Sequence, residues 1–476
     1  MSELRPLRLL NAVENGTVLG AELNTYLTDA GRLAEFTVLF SQRGQAKRIS
    51  NGQTTMTAMV SSPIAINAAI VQATNSNDTI IAAMTQSALA MATISNSSTV
   101  LVNVSDNPTA WNYFSVSLYY ESHIKKIIAH LSGVNPDLYA STSLLILDPV
   151  SMGDISVSER GMRALVNSLP SVVIMASDST AMALVAADTT AITLVAQKTS
   201  IMPTIAQSVN AMDEIVARSV ATGIMATNAG AIQAIAAEET AWLNFLGGSN
   251  FSGNLKNVVT NLVGINGNDF ATIASIFENT AASLAVANSK PAMQAILSDT
   301  PSINALVSSS NLDTVLGSSV AMLEITGNTS TMNSLIADTT AFPILLTSTA
   351  AKSAIFASPT LVATMMTAGS DSLATVQGLA QSATVVNDAL IGTFKTVGVA
   401  GNIIILTGVM GSIVATTLNN TFKGDTQSPY VVGLPGTSLS SGPVDINLPF
   451  TNAVWDIASI AATAAGNVTI TYVDFN

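Results

Sequence analysis

Between residues 171 and 246 apolar and polar positions recur in blocks of ten: SDSTAMALVA, ADTTAITLVA, QKTSIMPTIA, QSVNAMDEIV, ARSVATGIMA, TNAGAIQAIA and AEETAWLNFL. Alanine or its substitute returns at 181, 191, 201, 211, 221, 231 and 241 without a slip. A large apolar residue follows at Met182, Ile192, Met202, Met212, Ile232 and Trp242, and another three places on at Val185, Val195, Ile205, Ile215, Ile235 and Phe245. The fifth block departs, with Thr222-Gly223 in the apolar place. In one continuous α-helix ten residues turn the chain by about 1000°, so each apolar stripe would start about 80° away from the last. A straight helix cannot bury such a stripe. The Ser, Thr, Asp and Asn clusters between blocks are N-cap residues, so each block predicts about two turns of helix followed by a bend. Helices this short are marginal alone and must stack on their neighbours, as in a solenoid. A β-solenoid is the competing reading. Its coils carry more glycine and a period of two, and AMALVAAD and AIQAIAAEE do not alternate.

The same block returns at residues 290–300, 301–309, 318–327, 328–338 and 339–347, and near the start at 54–62 and 63–71, with a looser match at 108–114. Residues 117–170 and 247–287 break the rhythm and read as insertions or changes of direction. From about residue 396 the pattern turns to β-branched runs divided by Gly, Pro, Asn and Asp turns: IIIL, SIVATTL, YVVGL, VDINL and NVTITYVDF. The predicted class is therefore α+β, with stacked short helices followed by a C-terminal antiparallel β-sandwich. The expected segments are 1–50 as a docking head, 51–116 as a first array, 117–170 as an insertion, 171–246 as the main array, 247–287 as a connection, 288–395 as a second array and 396–476 as the sandwich.

Composition narrows the function. Of 476 residues only 10% are charged and 5% aromatic, there is no cysteine, and 17 Lys+Arg against 30 Asp+Glu leave a net charge of −13. With a mean hydropathy of +0.46 the chain is the opposite of a disordered one. Lack of cysteine removes disulfide and thiolate-zinc scaffolds, and the acidic balance argues against nucleic acid. Residues 396–422 carry no charge and are long enough to cross a bilayer, yet 49–77 and 79–105 are equally charge-free and both are laced with Ser, Thr, Asn and Gln, so lack of charge is a habit of the whole chain. No membrane insertion is expected, and the N-terminal MSELRPLRLLNAVENG lacks the apolar core of a secretory signal. The head is different, with Arg5, Arg8, Arg32, Arg43, Lys47 and Arg48. A mixed-charge head on a bland body suggests the end that docks.

Candidate chemistry is thin. His123 and His130, with Glu121, share one side of a helix if ESHIKKIIAHL is one, but Lys125 and Lys126 lie between them and seven residues rise about 10 Å. No metal or cofactor is expected. Asp148, Asp154 and Glu159 are the least dismissible carboxylates for a glycosidase pair, and no catalytic residue is assigned. Trp455, Tyr430 and Tyr472 are possible glycan platforms, or core residues of the β-domain.

The head, LNAVENGTVLG…LTDAGRLAEF…RGQAKRIS, followed by runs of S-x-T-A-M-x-x-[IVL], resembles tailed-bacteriophage virion proteins of the fibre and collar-fibre type. The resemblance covers residues 9–50 and the arrays at 54–71, 171–246 and 290–347. It implies a non-enzymatic virion protein that docks on other virion proteins through residues 1–50, forms a homotrimer, and turns its C-terminal part outward to cap the fibre or meet a host glycan or protein. The alternatives are a cell-surface carbohydrate-binding adhesin and a polysaccharide-depolymerase tailspike.

Overall fold

A computed structural model of the chain describes residues 6–72, 79–367 and 370–379, and from 381 onward the backbone of the strands. The chain divides into two compact units, residues 1–254 and 255–476.

In the first unit each ten-residue block is a helix of two turns. Ser179–Ala187 and Thr189–Gln197 are joined by a single residue, Asp188, which closes one helix and opens the next. Its backbone is extended (φ −95°, ψ 122°) and its carboxylate accepts from the Ala191 amide at 2.8 Å. One extended residue is enough to turn the chain sharply: Leu169–Ser177 and Ser179–Ala187 meet at 102°, Ser219–Thr227 and Ala229–Ala237 at 99°. Three such corners bring the chain back over itself, and each helix lies on the third one before it. Thus Pro149–Val157, Ser179–Ala187 and Val209–Val216 form one column, and Glu159–Val166, Thr189–Gln197 and Ser219–Thr227 the next. A coil is three helices and about thirty residues.

Within a block the buried positions are the third, fourth, seventh and eighth after the cap, as in Ala181, Met182, Val185 and Ala186 or Ala191, Ile192, Val195 and Ala196. Burying the Met and Val of one block contributes about 1.5–3 kcal/mol each. Ordering ten residues costs about 1–2 kcal/mol per residue in backbone entropy, so no block holds its shape without the coils above and below. Thr222 in the fifth block takes a buried place normally filled by an apolar residue. Its hydroxyl donates to the Ile215 and Arg218 carbonyls, both at 3.0 Å, which removes the cost of burying it.

The caps also bind coil to coil. Ser87 accepts from the Ala90 amide at 3.3 Å and donates to the Ser50 carbonyl at 2.7 Å. Ser208 accepts from the Ala211 amide and donates to the Ala176 carbonyl, and Asn107 accepts from the Ala110 amide at 3.0 Å and donates to the Ile70 carbonyl at 3.3 Å. Serine and asparagine suit this place because they can accept and donate at once, and so satisfy an orphan amide of one helix and an orphan carbonyl of another.

Residues 117–170, expected as an insertion, obey the same stacking. Tyr120–Leu131 lies on Glu159–Val166, and Thr142–Leu147 on Leu169–Ser177. What breaks the rhythm is a longer helix that ends in a glycine with positive φ. The Val134 amide reaches back to the Ala129 carbonyl at 2.8 Å across Gly133 (φ 74°), a Schellman stop.

The second unit repeats this arrangement. Residues 124–148 align without a gap on 255–279, and each local feature recurs 131 places on. Gly264 has φ 71°. Asn135 and Asn266 accept from Asp137 and Asn268 amides, and Ser141 and Thr272 from Leu144 and Ser275 amides. Lys125 Nζ donates to the Tyr139 carbonyl at 2.5 Å, Lys256 Nζ to the Phe270 carbonyl at 3.0 Å. The correspondence continues through the caps Ser158/Ser289 and Ser168/Asp299, slips by one residue, and resumes at Asp188/Ser318 and Asn228/Ser358. Helices of this unit again lie three apart, as with Leu255–Val263 on Lys290–Leu297 and Lys290–Leu297 on Ser319–Gly327.

The α+β class with a C-terminal β-sandwich is overturned. Every regular element among the residues described with their side chains is helical. The strand backbones that follow are β1 (Gln381–Val386), β2 (Phe394–Met410), β3 (Thr416–Phe422), β4 (Asp425–Thr426), β5 (Tyr430–Val432), β6 (Pro443–Ser459) and β7 (Asn467–Asp474). They pair in one antiparallel sheet, β1-β7-β2-β6-β3-β4 with β5 on β3, rather than in two layers face to face. Alternation in a strand fixes which residues share a face; it does not supply a second sheet for that face to cover. The first strand also begins inside the segment read as the second array. Among the described residues no single helix is long and apolar enough to cross a membrane.

Candidate docking surface

The head residues fold into the same stack instead of standing apart from it. Pro6–Glu14 and Gly20–Tyr26 both lie on Gln53–Val60, and Arg43–Asn51 lies on Thr79–Thr85. The three cations of RGQAKRIS have different tasks. Arg48 is structural: Nε donates to Glu14 Oε1 and Nη2 to Asn11 Oδ1, both at 2.6 Å, and Nη2 also bonds Glu14 Oε2. That fork ties the helix to the first one in the chain. Arg43 and Lys47 are exposed and, among the described residues, make no ion pair. They stand four residues apart on one helical face. That face borders an open groove of about 480 Å³, lined also by Ser50, Asn51, Thr79, Ala82, Ala83 and Gln86. Elsewhere in the head Arg32 lies over the Tyr26 ring at 4.7 Å and Asp29 caps Ala30–Ser41.

The other candidates are occupied or scattered. Asp148 is the N-cap of Pro149–Val157: Oδ2 accepts from the Ser151 amide at 3.0 Å and from the Tyr139 hydroxyl at 2.8 Å. Those two bonds, the amide first, hold its carboxyl below the usual range. Glu159 is paired with Arg163 one turn along the same helix, and Asp154 is exposed on the helix that Asp148 caps. None of the three lines the groove.

His123 and His130 lie on Tyr120–Leu131, both half-buried. Burial, and then the Lys126 charge, lowers the pKa of each. Glu121 accepts from the Ser168 hydroxyl at 2.7 Å. Among the described residues no three His, Asp or Glu side chains gather where a metal ion fits. The strand register puts Trp455 opposite Val397 and Asn420, Tyr430 opposite Leu418, and Tyr472 opposite Gln381 and Ile405. Their side chains lie outside the described residues.

Sequence reasoning named Arg43 and Lys47 as head charges but not the groove, to which Thr79 and Gln86 contribute from the start of a helix about thirty-five residues later and from the turn that follows it. The legible signal was spacing and sign: from Phe36 to Ser105 there are three bases and one acid, Asp78, in a chain of net charge −13. Compared with known proteins, the chain matches no family model and no curated protein.

Proposed function

We propose that this chain is a structural component of a phage virion, a fibre-type spacer that works by assembly. Its N-terminal layers dock on another virion protein and its C-terminal region faces outward. The observation that carries the reading is the corner-and-coil architecture. Each ten-residue block is held by the blocks of the adjoining coils, so the repeated part of the chain is spent on making a regular stack. Arg43 and Lys47, exposed and without an ion pair among the described residues, mark the end that meets a partner, as the resemblance to fibre heads implies. The test is electron microscopy of particles purified from a culture producing the chain, labelled with antibody against residues 1–50, together with the solution mass of the purified chain. Particle-bound label and a trimer mass are expected. A lone monomer, with no label on any particle, overturns the reading.

A further inference from the structure

The groove between Arg43–Asn51 and Thr79–Gln86 carries a more specific claim about what docks there. Arg43 and Lys47 present two cations whose Cβ atoms lie about 5–6 Å apart, the spacing of helical neighbours four apart. Around them are neutral hydroxyl and amide groups, from Ser50, Asn51, Thr79 and Gln86, and no described carboxylate. An extended peptide sets side chains two residues apart on one face at about 6–7 Å, so Asp/Glu-x-Asp/Glu matches the pair of cations; two carboxylates a turn apart on a helix match it as well. This chain does not supply that pattern. Its thirty acids include no two that are two, three or four residues apart, although residues 52–476 hold most of its negative charge. We infer that the groove receives an acidic segment of a different protein, with two carboxylates about 6–7 Å apart that bridge Arg43 and Lys47. The claim builds on the docking role proposed for the N-terminal layers, but it is tested on the purified chain, so the two can fail separately.

The probe is a fluorescein-labelled twelve-residue Gly/Ser peptide with a central Glu-Ser-Glu, titrated into the full chain at low salt and followed by anisotropy. Binding is expected to saturate and to weaken with added salt, and the Gln-Ser-Gln peptide, which lacks the same two ion pairs, should bind about tenfold more weakly. Arg43→Gln with Lys47→Gln should weaken binding about tenfold, the loss expected from two exposed ion pairs. Arg32→Gln, outside the groove, should leave it unchanged, and circular dichroism reports whether each variant is folded. No binding at 1 mM peptide (about −4 kcal/mol) overturns the inference. So does equal binding of the glutamine peptide or by the double variant. Retention of inorganic polyphosphate, with the acidic peptide left unbound, overturns it too by pointing to another class of anion.

Discussion

Removing residues 179–188 splices Asp178 directly onto Thr189. Asp178 already caps its own helix through the Ala181 amide at 2.8 Å, and after the splice Ala191 stands in that place. Ile192, Val195 and Ala196 then fall where Met182, Val185 and Ala186 were, all of them buried. Every cap and every core position is thus refilled by a residue of the same kind. The loss is one helix out of the stack, about 0.5–1.5 kcal/mol if stability is spread evenly at 0.05–0.15 kcal/mol per residue. Removing only residues 179–183 has a different outcome. Four residues are left between Asp178 and Asp188, too few for a helix. Pro149–Val157 and Val209–Val216, which lie on the missing helix, then lose the surface that covers them. With Met182 gone, Val185 no longer held in the core and the side chains facing them uncovered, at about 1.5–3 kcal/mol each, the cost is about 5 kcal/mol or more. Urea unfolding followed by far-ultraviolet circular dichroism separates the two. If the ten-residue deletion unfolds as readily as the five-residue one, the reasoning from interchangeable stacked blocks is wrong.

Other expectations follow from single side chains. Ser208→Ala removes both an N-cap bond and a bond to the coil below, and should cost about 1–2 kcal/mol, more than Asp178→Ala at about 1 kcal/mol, where only the cap is lost; chemical denaturation of both gives the comparison. Gly264→Ala should cost about 1–2 kcal/mol from backbone strain alone, since no atom lies within 4 Å of the added methyl and φ is 71°; equal stability would mean the Schellman stop is not formed. Burial lowers the folded-state pKa of His123 and His130, so the unfolded chain binds more protons near and below the ordinary histidine value of 6.5. Stability should hold above that value and fall as the pH drops toward the lowered folded-state pKa, and His123→Gln with His130→Gln should flatten the fall in thermal midpoint.

Much of the helical body was legible. The period of ten, the caps and the apolar places three apart all follow from side-chain chemistry within one block. The buried alanine at the eighth place, as at Ala186 and Ala196, was not singled out, because a small residue there reads as neutral until a neighbouring helix is laid against it. Three helices per coil is a property of the corner angle, which one block does not state. The trace it leaves is faint: polar partners about thirty-one apart, such as Lys198 with Asn167 and Asn244 with Asp213. The likeness of IKKIIAHLSGVNPDL to LKNVVTNLVGINGND was on view and would have joined the two supposed interruptions into one repeated motif. At the C-terminal end strand propensity was readable but layering was not, since the face of a strand does not name what covers it. In the head, the sign of each charge was plain. Which cation is tied down and which is free depends on Glu14 and Asn11, more than thirty residues away from Arg48.

The one-residue corner makes the stack behave like an indexing wheel. Gaining or losing a single decapeptide swings whatever follows in the same unit by about a third of a revolution, because three helices close a coil. A gain of thirty residues lifts it by one storey and leaves its bearing unchanged. Slippage of such short, similar stretches during replication therefore offers a lineage two separate adjustments, one of azimuth and one of reach, neither of which demands a new core.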